Sequence, residues 1–389
     1  MSAGFDHTAA PEVANGPRLE LGRIRADIEE LAAMQRGSAA EDKPQVNWLE
    51  RRLRQAGAHE VHTESFRFQR RLIWRYGAHG AAGLGAAAIG GPLGAGLATA
   101  TLVSLELEVS GRSRWLARFM PAGEGRNVVA RVPAAGQPQR TVVLFAHHDA
   151  QRSGLLWRLA RPKAPVALPG QAVLALIALG CLIGSRLLRA LGAVKLGAMI
   201  LLGLDAARNP VVPGANDNAS GVAALLALIG AFARDPLERT DVIAVFTDCE
   251  EVGLGGAAAW LDAHGAALDR ASTLVVSLDT LGSGEAAVVS RAGALTSTLS
   301  RATHDWADRG ALRAAVDPPR RVDLIAPTDA GPAHHAGLRT LSLVSIAEDG
   351  TLGPHYHQPT DTAENVDHES VEQCTRLAAG IARVWDSAG

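Results

Sequence analysis

Three apolar, β-branched runs in this chain each stop abruptly at acidic or imidazole residues, and that recurrence restricts the possible folds more than any other feature. Thr141–Ala146 leads into His147, His148 and Asp149; Val242–Phe246 leads into Asp248, Glu250 and Glu251; the segment STLVVSL leads into Asp279. Short continuous apolar runs of this kind suit strands buried on both faces, as in a sheet covered by helices on either side. In open α/β sheets ligands bind at the carboxyl ends of strands, so polar clusters at several such ends converge on one site. With 389 residues, 47% of them apolar, the chain is long enough for one large α/β domain. We read residues 18–389 as that single domain and residues 1–17 as a disordered tail.

Two further segments add donors. PGANDNASGVAALLALIGAFA is a Gly/Asn/Asp turn opening a long apolar helix, with Asn216, Asp217 and Asn218 before its start. A carboxylate there is either a helix cap or, if the turn aims it inward, a metal ligand. Near the carboxyl terminus PHYHQPTDT places Tyr356 and His357 in a Pro-bounded loop, with Asp361 four residues beyond His357. Carboxylates and imidazoles without thiolates suit zinc or a related divalent ion, and a pair of ions needs a shared carboxylate with terminal ligands on each. The adjacent Glu250 and Glu251 satisfy two separate demands of metal-assisted hydrolysis, a ligand and a general base not committed to the metal.

The rest of the chain supplies scaffold. Ser38 and Glu41 have capping-box spacing, Val46, Leu49 and Leu53 follow at helical spacing, and Gly57 closes the segment. EVHTESFRF alternates as a half-buried strand. Cys181, Cys249 and Cys374 have no disulfide or zinc-site spacing, which favours a reducing compartment. The first residues lack a basic start followed by an apolar core, so no secretory signal is expected. A formal charge of −2 gives no reason to expect a nucleic-acid partner. His148, His334 and His335 read as packing or loop residues, and Asp248 and Cys249 as shapers of a turn. Asp361 reads as a support for the His357 loop.

Two apolar stretches exceed what a soluble domain requires. Gly77–Leu105 has no Asp, Glu, Lys or Arg; within 164–204 the charges are Arg186, Arg189 and Lys195. A spanning helix needs about 20 apolar residues, so 164–204 reads as a membrane hairpin with a basic turn near Arg186 and Arg189. The shorter stretch, 77–105, reads as a re-entrant or surface-lying Gly/Ala helix pair. Because candidate ligands lie on both sides of these stretches, each must cross an even number of times or not at all. Arg152, Arg158, Arg161 and Lys163 flank the hairpin and favour membrane association with a cytoplasmic catalytic face.

Taken in order, these motifs resemble the zinc exopeptidase family that includes the bacterial leucine aminopeptidases, glutamate carboxypeptidase and glutaminyl cyclase. The resemblance runs from about Leu21 to the end, apart from the two apolar insertions. It implies an α/β fold with a mostly parallel mixed central sheet flanked by helices. It also implies two zinc ions: His147 and Asp279 on one, Glu251 and His357 on the other, and Asp217 bridging them. Asp149 matches the carboxylate that orients the first His, Glu250 the general base, and Tyr356 an oxyanion-stabilising residue of some members. The implied activity is hydrolysis of the amino-terminal residues of peptides, with a carboxypeptidase, a glutaminyl-cyclase-like enzyme or a non-enzymatic membrane scaffold as alternatives. The chain departs from the pattern at Ala330, where a His is common, and in the long insertion between His147 and Asp217.

Overall fold

The structure is a computed structural model that describes residues 19–159, 169–293, 295 and 303–388. The predicted tail at 1–17, together with Arg161 and Lys163, lies outside the described residues. The helices are α1 (Leu21–Ala32), α2 (Pro44–Gln55), α3 (Leu72–Ile89), α4 (Gly91–Val109), α5 (Leu155–Leu159), α6 (Gly170–Leu182), α7 (Arg186–Arg208), α8 (Gly221–Arg234), α9 (Gly255–His264), α10 (His304–Ala314), α11 (Ala330–His335) and α12 (His368–Ser387). The strands are β1 (His59–Gln69), β2 (Ala122–Val132), β3 (Arg140–His147), β4 (Thr240–Thr247), β5 (Thr273–Leu278), β6 (Glu285–Ala292), β7 (Arg320–Leu324) and β8 (Arg339–Ile346).

All eight strands form one sheet in the order β1-β2-β4-β3-β5-β8-β6-β7. Its centre is parallel, β4 and β5 flanking β3 and β8 following β5, while β1, β2 and the β6–β8 pairing supply antiparallel contacts. The mixed α/β architecture expected from the sequence is therefore present. Within β3 the alternation of side chains divides the core in two: Val142, Leu144 and Ala146 face the layer holding α1, α2, α8 and α12, whereas Val143 and Phe145 face α9 and α11. Burial on both faces is why these runs are apolar throughout rather than alternating. The α2 helix starts at Pro44, so the predicted Ser38–Glu41 capping box does not form; Ser38 instead donates to Asp149.

The apolar stretches fold as two helical hairpins, α3–α4 and α6–α7, which pack on each other through Ala86, Ala98, Leu105, Leu174, Ile177 and Leu196. A Cβ on Gly94 would lie 2.5 Å from the Ala86 carbonyl oxygen, so α3 and α4 meet backbone to backbone, as small residues allow. The first stretch is the helix pair expected from its composition, and it forms a full hairpin packed on the second. Its members are 18 and 19 residues long, because helical structure runs past the uncharged segment at both ends to include Arg75 and Glu108. Among the described residues two helices are long and apolar enough to cross a membrane, and burial separates them. The α8 region, 215–234, is almost wholly buried against the sheet, whereas α7 is mostly exposed.

Candidate metal and catalytic site

The site is assembled at the carboxyl ends of the central strands. β3 ends on His147, the loop after β4 carries Glu250 and Glu251, and Asp279 follows β5 directly. Asp217 comes from the turn before α8 and His357 from the loop after β8. All five side chains predicted as ligands lie together. Asp217 occupies the middle: Oδ1 is 3.1 Å from His147 Nε2, and Oδ2 is 2.9 Å from His357 Nε2. On the His147 side, Asp279 Oδ1 lies 3.7 Å from the same Nε2; on the other, Glu251 Oε2 lies 3.3 Å from His357 Nε2. One oxygen of a central carboxylate thus faces each of two imidazole–carboxylate pairs, as a bridging ligand requires.

Several observations fit this donor set to divalent ions. One donor atom from each of His147, Asp217 and Glu251 lies within 4.8 Å of the others, with all three residues buried. Among the described residues, Oε1 of Glu251 is buried without a hydrogen-bond partner, an arrangement that is costly unless a cation satisfies it. The Nδ1 of His147 lies 3.1 Å from the Asp149 carbonyl oxygen; an N–H donated there leaves Nε2 free as the ligand atom.

The charges are unbalanced without a cation. Burial, then the neighbouring Asp217 carboxylate, pushes Glu251 up to about 7. Burial and the charges of Glu251, Asp329 and Asp279 hold Glu250 well above the usual carboxylate range, against the pull of His147. Burial opposes protonation of His357, but Glu251 and Asp217 outweigh it and raise the imidazole to about 10. His147 is raised for the same reason by Asp149, Asp217 and Asp279, despite its burial. Each of these shifts arises from buried negative charge of the kind that a divalent ion bound to the cluster would offset.

The supporting shell is mostly backbone. Asp149 accepts from the Ser38 hydroxyl at 2.6 Å and from the backbone N–H groups of Glu250 and Glu251, so one carboxylate ties the first His to the glutamate pair. Asp361, on the His357 loop, accepts from the N–H groups of Asn216 and Asp217 at 2.8 and 3.1 Å and donates its own N–H to the Gln358 carbonyl, so it ties that loop to the bridging turn. The Tyr356 ring stacks on His357 at 3.7 Å, and burial among the site carboxylates keeps its phenol protonated well past the usual range. His148 packs internally, its Nε2 2.8 Å from the Arg126 carbonyl oxygen. His334 and His335 belong to α11, and Asp248 forms a buried pair with Lys43. Sequence reasoning missed Gln151, which donates to Glu251 Oε2 at 2.9 Å, and Arg36, a fully buried guanidinium that donates to the carbonyls of His148, Pro213 and Gly214. Nothing near Arg36 in the sequence signals this, because its partners are over 100 residues away. It also missed Trp157, whose ring sits edge-on to His357 at 4.2 Å. Asp329, left outside the catalytic set, accepts from the Thr247 hydroxyl, and burial raises it to about 7.

The fold and this histidine–carboxylate cluster define a metallopeptidase-type hydrolase. Residues 197–382 match the model of Peptidase family M28, the family whose motifs the sequence resembles; the matched segment holds Asp217, Glu250, Glu251, Asp279, Tyr356 and His357. No curated protein matches the chain. Among solved structures, the chain is similar to a glutaminyl cyclase from Bacteroides thetaiotaomicron (TM-score 0.58, 14% identity, 95% of this chain and 99% of that one). It is also similar to BSAP, a zinc aminopeptidase from Bacillus subtilis (TM-score 0.57, 13% identity, 95% of each chain). A third similar structure is an aminopeptidase from Aneurinibacillus sp. strain AM-1 (TM-score 0.56, 13% identity, 94% and 93% of the chains). At these identities the likeness is one of fold.

Proposed function

We propose that this chain is a membrane-associated aminopeptidase that removes amino-terminal residues from peptides, with two zinc ions held by His147, Asp217, Glu251, Asp279 and His357. The observation that carries this reading is Asp217, whose two oxygens face separate imidazole–carboxylate pairs. Zinc bound there supplies a Lewis acid for the scissile carbonyl and lowers the pKa of water. Glu250 takes a proton from the attacking water and returns it to the leaving amine. Burial first, and then the charges of Glu251, Asp329 and Asp279, raise Glu250; divalent ions bound to the ligand set would offset the second of these effects and so favour its carboxylate form. Asp149 holds the His147 ring in one tautomer. The Tyr356 hydroxyl donates to the carbonyl oxygen as negative charge develops.

A complete two-ion donor set favours hydrolysis over cyclisation, and the known aminopeptidases of this fold favour action at the amino terminus. Membrane association through 164–204 is supported by the low burial of α7, and a cytoplasmic catalytic face by the basic residues flanking that hairpin. The test is elemental analysis of detergent-purified protein combined with a panel of free-amine, amino-blocked and glutaminyl-terminated reporter peptides. Two zinc ions per chain and cleavage restricted to free-amine peptides support the proposal. Turnover of blocked peptides, or release of ammonia from the glutaminyl peptide, overturns it.

A further inference from the structure

The base of the four-helix bundle and the wall of the site are built from the same residues. Arg75, in the first turn of α3, is buried against Glu108 near the end of α4, with their charged groups 3.7 Å apart. Its guanidinium also lies against the loop of the glutamate pair: a Cβ on Gly253 would come within 2.5 Å of Arg75 Nη2. Gly253 is two residues from Glu251, about 7 Å of extended chain. Gln69, just before α3, donates to the Val252 carbonyl in the same loop. The second hairpin reaches the other side of the site. Leu155 of α5 donates its N–H to Asp205 near the end of α7 at 2.7 Å, and Trp157 of the same short helix meets His357.

Outward from this base, the bundle surface changes character twice. Along its length Leu93, Leu97, Val103, Leu187, Leu191 and Leu201 are exposed. The segments Tyr76–Ile89, Gly91–Leu105 and Gly170–Leu182 carry no Asp, Glu, Lys or Arg. Three of the four helices, α3, α4 and α7, have 18 to 23 residues and rise about 27 to 35 Å, against a bilayer core of about 30 Å, while α6, with 13 residues, rises about 20 Å. At the base, Trp74, Trp115 and Phe119 are the exposed large aromatic side chains among the described residues; Arg71 adjoins the start of α3, Arg112 follows the end of α4 by three residues, Arg158 lies in α5 and Arg208 ends α7. An apolar wall bounded by an aromatic and basic collar is what a bilayer with an anionic surface matches. Both hairpin tips lie at the opposite end, where Arg189 donates to the Ala87 carbonyl at 2.8 Å.

We infer that the site opens at the membrane surface and that its substrates are membrane-anchored peptides or proteins whose free amino terminus emerges close to the bilayer. The inference rests on the aminopeptidase reading and adds the source of the substrate. The link is α5, whose Leu155 is bonded to Asp205 near the end of α7 and whose Trp157 meets His357, so a chain leaving the headgroups at the end of α7 has a short path to His357.

A spacer ruler tests it. The full chain is reconstituted in vesicles containing anionic lipid, with peptides that have a free amino terminus and are anchored through a carboxyl-terminal acyl chain, the spacer varied from about 4 to 16 residues. Each added residue extends reach by at most about 3.5 Å. Cleavage at the shortest spacers, at rates at least tenfold above the same peptide without an anchor, is the expected result. A requirement for spacers of about 10 residues or more overturns the inference, as does equal turnover of anchored and free peptides. So does a protein that extracts from membranes at alkaline pH as a dimer covering its apolar faces. The soluble reporter keeps the two readings apart: its cleavage with failure of short-spacer anchored peptides rejects only the membrane-surface substrate, whereas failure of every peptide rejects the aminopeptidase reading and this inference with it. In a second arm, Trp74→Ala and Trp115→Ala should retain soluble turnover and lose most of the advantage of anchored peptide; unchanged preference in both would also overturn the collar's role.

Discussion

Glu250→Gln separates the base from the ligands. The substitution keeps side-chain volume and leaves the backbone N–H of residue 250 bonded to Asp149 at 3.2 Å. It removes a carboxyl group whose ionisation is already suppressed in the metal-free site, so it should cost little folding stability. Glu250 makes none of the close approaches to His147 or His357 that Asp217, Asp279 and Glu251 make, so both ions should remain. A positioned general base contributes about 10²–10⁴-fold, or roughly 3 to 5 kcal/mol of barrier, and that loss should fall on kcat with KM within a few-fold of wild type. The assays are steady-state kinetics on an aminoacyl reporter, elemental analysis, and thermal unfolding with and without metal. Turnover within tenfold of wild type would refute the role. Loss of one ion per chain would make Glu250 a ligand instead.

Removing the carboxylate behind His147 with Asp149→Ala should lower metal affinity by about 10–100-fold, measured by competition with a chelator of known affinity; unchanged affinity would argue against its orienting role. The stabilisation conferred by metal should grow from pH 5 to pH 8. In the metal-free protein Glu251 and Asp329 are raised to about 7, so their contribution is full only below the unfolded carboxylate range and is lost as pH rises through 7. The contributions of His147 and His357, raised in the folded state, are likewise full below the unfolded histidine value and fall at higher pH. For Glu251 alone the loss is on the order of 3 kcal/mol, and calorimetry of metal-loaded and metal-free protein across that range reads it; a gap that narrows with pH would contradict the assignment. Arg75→Met leaves Glu108 buried without its cation, which should cost about 3–5 kcal/mol and loosen the Glu250–Glu251 loop. Unfolding temperature and turnover should both drop, and a change in neither would show that the pair does not support the loop.

The catalytic end of this protein is legible in sequence because β3, β4 and β5, which lead into it, are buried on both faces. Such strands must be apolar throughout, so the residue at which apolarity stops marks the carboxyl end of the strand, and there His147, Asp279 and the Glu250–Glu251 pair stand out. Asp217 is less visible, since a carboxylate before a helix has an ordinary capping use, and only the fold turns its two oxygens toward two histidines. The partners of Arg36, and the grip of Asp361 on the backbone of Asn216 and Asp217, are pairings between distant segments that no local pattern encodes.

The apolar insertions divide in the same way. Their composition gave one hairpin at 164–204, charged only at Arg186, Arg189 and Lys195, and a shorter uncharged helical stretch at 77–105, because burying so much Gly, Ala and Leu requires helices whose backbone groups bond internally. That composition did not reveal that the hairpins pack into one bundle, since Gly94, Ala98 and Leu174 read alike whether they face another helix or lipid. Nor did it bring Arg75 and Trp157, on either side of that bundle, against the two loops that carry Glu251 and His357. Local pattern determined which residues end strands and which helices shun water; the distances between them were decided only when strand order and hairpin packing brought separate segments to one face.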